Sequence, residues 1–143
     1  MPVPASIFVS ELRHCQAALL LLAIALPLGA CHSQAAASPR EAAQLRGVTI
    51  RALGQEPGWV LEVVPRRWVH MRGDYGAFDI LTSVPEPFSD GDALVYESGA
   101  DENALRLRLY QRPCQDSMSG KAYPLTAVVH ARGRQFDGCA ESL

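Results

Sequence analysis

Four cysteines are the residues whose types and spacing bear most directly on chemistry: Cys15, Cys31, Cys114 and Cys139. A thiol can carry a thioether, close a disulfide, bind a metal or act as a nucleophile, and its surroundings decide which. Cys31 follows Leu28, Gly29 and Ala30, where the small residues leave the backbone open to a peptidase. Other chemistry is thinly supplied. His70 and His130 each sit alone in a strand-like run, where a histidine is ordinarily a strand residue rather than a ligand. No two histidines, and no histidine with a cysteine, have metal-ligand spacing, so neither a metal nor a cofactor is expected. Asp90, Asp92, Asp101 and Glu102 fall in turn-like stretches without the loop pattern of a calcium site. Ser117 and Ser119 lack a G-x-S-x-G elbow, and nothing in the sequence assembles a nucleophile, a base and an orienting group.

The elements around Cys31 give it a role. From Ala17 to Leu26 every residue is Ala, Leu or Ile, and Pro27 stops the run well short of the roughly 20 apolar residues that span a bilayer. With Arg13 and His14 ahead of it, the run reads as the core of a signal peptide over residues 1–30. Leu28-Gly29-Ala30-Cys31 resembles the lipobox of bacterial lipoproteins. That resemblance implies a diacylglyceryl thioether on Cys31, cleavage before it, and an N-acyl chain after cleavage. His32 rather than Asp follows the cysteine, which by the same resemblance favours the outer membrane, facing the periplasm. Each buried methylene contributes about 0.8 kcal/mol, so two or three chains form a near-permanent tether to the membrane. The alternative is an ordinary secretory signal ending at Ala30, with Cys31 destined for a disulfide. If Cys15 leaves with the leader and Cys31 carries lipid, Cys114 and Cys139 are the pair left in an oxidising compartment, and a disulfide between them is expected.

The remaining chain suffices for one domain. A net charge of −2 argues against nucleic acid and against an electrostatically held membrane surface. Residues 31–46 read as the lipidated cysteine and a flexible tether of Ser, Gln, Ala and Pro, with a helical turn at Glu41 to Leu45 too short to stand alone. From residue 47 to 143 the pattern changes to short runs of period two bounded by Gly, Pro, Asp and Asn. Val48, Ile50 and Ala52 share one face, as do Trp59, Leu61 and Val63, which Pro65 ends. Trp68 to Arg72 and Ala77 to Thr82 follow across a Gly-Asp turn, and residues 85–92 read as a loop. Ala93 to Glu97 makes a fifth run, and Leu105, Leu107 and Leu109 alternate with Arg106, Arg108 and Tyr110 in the clearest strand of the chain. Ala122 to Ala131 and Gln135 to Cys139 complete about eight strands. The expectation is an all-β fold, a small antiparallel barrel, with a sandwich not separable by periodicity. Trp59 and Trp68 belong to its core or line a small apolar cavity.

Two clusters then stand out: Gly54, Glu56, Pro57, Gly58 and Trp59, and Cys114, Asp116, Met118, Ser119, Gly120, Tyr123 and Pro124. With Gly138 and Cys139 they resemble an uncharacterised family of bacterial envelope lipoproteins and periplasmic domains, whose signature runs G-x-E-P-x-W, C-x-D-x-M-S-G-x-x-Y/F-P, then G-C. The resemblance covers Arg51 to Cys139 and implies no agreed activity. A weaker one competes for the same residues. Ser119 to Tyr123 reads S-G-x-x-Y, similar to the first motif of periplasmic inhibitors of C-type lysozyme, in which a side chain such as Lys121 would engage the catalytic carboxylates. The inhibitors' second motif, Y-x-x-x-T-K-G, has no counterpart near Val129 to Gly133.

The expected function is a membrane-anchored, non-enzymatic envelope module that binds an envelope protein or supports surface integrity. The alternative is a lysozyme inhibitor-like protein, and an enzyme would need residues that meet only in the fold. Asp116, Ser119, Lys121 and Tyr123 are the candidate recognition residues, set against the plainer reading that Asp116, Ser119 and Gly120 only build a turn.

Overall fold

The computed structural model describes residues 36–83 and 86–143, so the leader and Cys31 lie outside the described residues. The first element is helix α1, Pro39–Leu45. Ser38 caps it: its hydroxyl accepts from the Glu41 amide at 3.2 Å, and its own amide donates to the Glu41 carboxylate at 2.7 Å. Pro39 opens the helix at a position where no amide hydrogen is needed. Seven residues would not hold a helix in water. Packing holds this one, since the fully buried Ala43 joins Val48, Val64, Trp68 and Leu143 in a small cluster. The folded body therefore starts ahead of residue 47 and takes in part of the expected tether.

Eleven strands follow: β1 Ile50–Gln55, β2 Gly58–Val64, β3 Trp68–Gly73, β4 Phe78–Thr82, β5 Phe88–Asp90, β6 Ala93–Ser98, β7 Leu105–Tyr110, β8 Cys114–Gln115, β9 Ala122–Tyr123, β10 Leu125–Ala131 and β11 Arg134–Ser142. Nine of them form one strongly curled antiparallel sheet in the order β4-β3-β2-β1-β11-β10-β7-β6-β5, a half-barrel, while β8 and β9 pair as a separate hairpin. The all-β antiparallel architecture is the expected one. Its strand count is higher because three short elements carry no alternating pattern. All of β5 is exposed and sits inside the segment read as a loop. The two residues of β8 are too few to show a period, and Pro124 splits the run from Ala122 to Ala131 into β9 and β10.

Neighbouring strands throughout the large sheet are antiparallel, so with nine of them the edge strands β4 and β5 run in the same direction. Parallel neighbours need a crossover of about a dozen residues. The chain passes from Thr82 to Phe88 with far fewer, and among the described residues no ladder joins β4 to β5. Side chains hold the end of β4 near the end of β6 instead: the Ser98 hydroxyl donates to the Ser83 carbonyl and lies 3.3 Å from the Thr82 hydroxyl.

Alternation sorts the residues to two faces. Inside, Leu61, Met71, Ile80, Leu107, Val129 and Phe136 are each below 2% exposed, and the edge of Phe78 meets Phe136 at 5.7 Å between ring centroids. The interior is a packed core. Outside, arginines of β7 reach across β6 to an acid of β5: Arg106 and Arg108 both donate to Asp90, at 3.2 and 2.7 Å. Val95 lies fully buried on this outer face, between Phe88 and Arg108 across the ladder, where aliphatic arginine stem shields it.

Candidate functional site

The site is assembled from the Trp59 slot upward. Gln55 pairs with Gly58, so Glu56 and Pro57, joined by a cis bond, form the whole turn between β1 and β2. Trp59 then lies back over two glycines. A Cβ on Gly54 would stand 2.2 Å from its Nε1, and one on Gly138 would stand 2.8 Å from its Cζ2. The indole Nε1–H donates to the Asp137 carbonyl at 3.3 Å, which ties β2 to β11 across β1. Trp59, 5% exposed, is a core residue, and Trp68 packs with α1 in the smaller cluster.

Over the outer face of this region lies the β8–β9 hairpin, held to β11 by the disulfide between Cys114 and Cys139, whose Cα atoms are 5.4 Å apart. The chain from Asp116 to Lys121 is a closed turn. The Asp116 carboxylate accepts from the Ser119 hydroxyl and, at 3.1 Å, from the Ser119 amide. The Ser119 hydroxyl accepts in turn from the Lys121 amide at 3.2 Å. The Gly120 amide donates to the Asp116 carbonyl at 2.9 Å, with Gly120 at a φ of +68°, where a residue without Cβ is favoured. The Ser119 hydroxyl above all, with help from its amide, the Gln55 side chain and the Met118 amide, holds the Asp116 carboxyl below its usual range against the opposing effect of burial. Lys121 lies over the Tyr123 ring at 4.4 Å, and its Nζ reaches Glu141 at 3.5 Å. Tyr123 itself is 7% exposed, and Glu141 also receives Arg40 from α1. Of the candidate recognition residues, Asp116 and Tyr123 are thus built into the fold, while Ser119 and Lys121 are exposed but already bonded.

The two sequence clusters around Gly54 to Trp59 and Cys114 to Pro124 meet here in space. Gln55 and Glu56 form one wall of an outer groove of about 350 Å³, Cys114, Asp116 and Ser117 the other, with Asp137 and Gly138 between them. The groove offers hydrogen-bond acceptors and the exposed Ser117 hydroxyl, and no histidine lines it. The histidines lie elsewhere: His70 is bonded to Asp79 at 2.8 Å on β3, and His130 is exposed on β10. Among the described residues no three His, Cys, Asp or Glu side chains gather as a metal site would need. Three of the turn acids are ion-paired, Asp90 with Arg106 and Arg108, Asp92 with Arg112, and Glu102 with Arg132 at 3.0 Å. Each such surface pair contributes about 0–1 kcal/mol. No helix among the described residues is long and apolar enough to cross a membrane.

On the other side of the Gln55–Glu56 turn is a second groove, of about 430 Å³, floored by Leu53 and Val60 and bounded by Arg51, Arg72 and Tyr75. Tyr75 belongs to the one-turn 3-10 segment Asp74–Gly76 and takes a φ of 55° and a ψ of 28°. Its ring lies on Gly58, where a Cβ would stand 2.7 Å from Cδ1, and its hydroxyl donates to the Gln55 carbonyl at 3.0 Å and to Glu56 at 3.1 Å. Loss of solvent around the hydroxyl where it meets the β1–β2 turn, then its bond to the Glu56 carboxylate and the Asp74 charge, raise the phenol's pKa above its usual range. Neither periodicity nor motif spacing singles out Tyr75. The signal was a bulky aromatic set inside the turn Gly73-Asp74-Tyr75-Gly76, where small or polar residues are ordinary. No family model, curated protein or solved structure matches the chain.

Proposed function

We propose that this protein is a bacterial envelope lipoprotein, tethered to the outer membrane through acyl chains on Cys31 and acting without catalysis as a binding module for another envelope protein. The packed interior carries the reading. With Phe136, Leu61 and Met71 filling the inner face, recognition falls to the outer surface, and the segments resembling the envelope family converge there on one disulfide-pinned groove. The apolar leader and the Leu28 to Cys31 motif support the anchor. Loops fixed at both ends by a disulfide and a strand pair bind at low ordering cost, which favours the groove wall from Cys114 to Ser117.

The test is cross-linking in the native envelope followed by mass spectrometry of the captured complex. Wild-type protein is expected to carry acyl chains on Cys31 and to recover one dominant envelope protein. Ser117→Arg, which fills the groove from an exposed position, is expected to lower that yield about tenfold, equivalent to 1.4 kcal/mol. Equal capture by Ser117→Arg would remove the groove from the reading, and an unacylated mature chain would remove the anchor. Inhibition of a C-type lysozyme that is lost in Lys121→Ala would favour the inhibitor reading in its place.

A further inference from the structure

Tyr75 is held in a conformation that a bulky side chain seldom adopts, and burial does not explain it. The residue is 71% exposed, yet Asp74 and Tyr75 both have a φ of 55° and Gly76 has a φ of 91°. Strain of this kind is retained where the surroundings enforce it, and the surroundings here are specific. The ring's inner face rests on Gly58, the only kind of residue that leaves room for it. The hydroxyl is fixed by the Gln55 carbonyl and Glu56. Asp74 is fixed by Arg134 at 2.7 Å. One aromatic face is thereby clamped, and the other is presented rigidly at the edge of the groove.

The groove beside it has two further properties. Its floor is apolar, from Leu53 and Val60, and its far edge is cationic. Arg51 is drawn toward Glu62 at 3.6 Å, but Arg72 has no carboxylate partner among the described residues. Asp79, which stands opposite Arg72 in the β3–β4 ladder, is bonded to His70 instead. A planar guanidinium without a partner suits a bidentate carboxylate. A rigid aromatic face suits the C–H face of a ring, because the π-face is negative and a sugar's ring hydrogens are slightly positive.

We propose that this groove binds a sugar ring bearing a carboxylate, stacked on the free face of Tyr75 with its acid group on Arg72. The site opens on the opposite side of the Gln55–Glu56 turn from the groove beside the disulfide, sharing Leu53, Gly54 and Gln55 with it, and is independent of whether Cys31 is acylated. The preformed wall keeps the ordering cost of binding low, which is the gain that offsets the strain at Tyr75.

Calorimetric titration of the purified folded chain with galacturonic acid, trigalacturonate and neutral galactotriose tests the proposal. Saturable binding of a uronate, at least about tenfold tighter than of galactotriose, is expected. Tighter binding of the trimer identifies a polymer as the source of the acid sugar, and tighter binding of the monomer identifies a free acid; either supports the site. Tyr75→Ala should weaken uronate binding about tenfold or more, with the melting temperature within about 3 °C of wild type. Arg72→Gln, at an exposed strand position, should erase the preference for the acid over the neutral sugar. The proposal is overturned by no saturable binding of either uronate up to about 10 mM, a Kd regime too weak to matter. Equal affinity for galactotriose, or an unchanged preference in Arg72→Gln, overturns it equally, and the last decides the matter even if Tyr75→Ala fails to fold.

Discussion

Gly138 lies against the backbone of β1 on one side and the indole of Trp59 on the other. A Cβ there would stand 2.1 Å from the Leu53 carbonyl oxygen and 2.8 Å from Trp59 Cζ2, so relief requires moving a ladder carbonyl rather than rotating a side chain. Gly138→Ala is expected to destabilise the fold by about 3 kcal/mol, at the upper end of the usual cost of overpacking. The readout is the midpoint of urea unfolding, and an unchanged midpoint would mean that the β1–β11 ladder yields without cost. Gly76→Ala is the control. A Cβ there meets nothing within 4 Å, and only the φ of +91° opposes it, which costs about 1 kcal/mol. The sequence reading of Trp59 as core or cavity wall is decided by these glycines, because a ring needs a slot of its own depth and Gly54 and Gly138 supply it from two different strands.

At the scale of elements, the β8–β9 hairpin is the piece whose position depends most on one bond. Its two strands share only two residue pairs, too few for independent stability. The disulfide closes a sequence separation of 25 residues, for which loss of chain entropy in the unfolded state predicts about 3.5 kcal/mol of stabilisation. Replacing both cysteines, Cys114→Ser with Cys139→Ser, is expected to remove about that much in thermal or denaturant unfolding. The local turn, closed by Asp116 and Ser119, should survive in part while the hairpin lifts away from β11. Amide chemical-shift changes confined to residues 111–124 and their neighbours on β11 would bear this out. Collapse of the spectrum for all strands would show that the hairpin is needed by the whole sheet. The pairing was legible from the cysteine count on the expectation of an exported chain, whereas the coverage of the outer face was not, since a two-residue strand has no period to read.

At the scale of the whole molecule, the odd number of strands governs behaviour. With β4 and β5 parallel and unjoined among the described residues, backbone hydrogen bonds are least secure at those edges and most secure near the centre, where β1 pairs with β2 and β11. Amide hydrogen exchange is expected to be slowest in β1, β2, β10 and β11 and faster in β4 and β5, following the general coupling of protection to buried, paired strands. Uniform protection around the sheet would instead indicate a sealed barrel in solution. By itself the sequence determined the all-β antiparallel class and the alternating faces of β1, β2 and β7, because local periodicity is a property of short stretches, and the count of cysteines over the whole chain pointed to the Cys114–Cys139 pair. Only the tertiary structure decided the rest. That the barrel stops at a half depends on the count of strands and a short connection. That Gly54, Trp59 and Gly138 share one slot depends on register between strands far apart in the chain. That Tyr75 faces a groove with Arg72 depends on a turn folding back over Gly58. Each is a relation between distant residues, fixed by ladder register and side-chain volume, which no window of sequence contains.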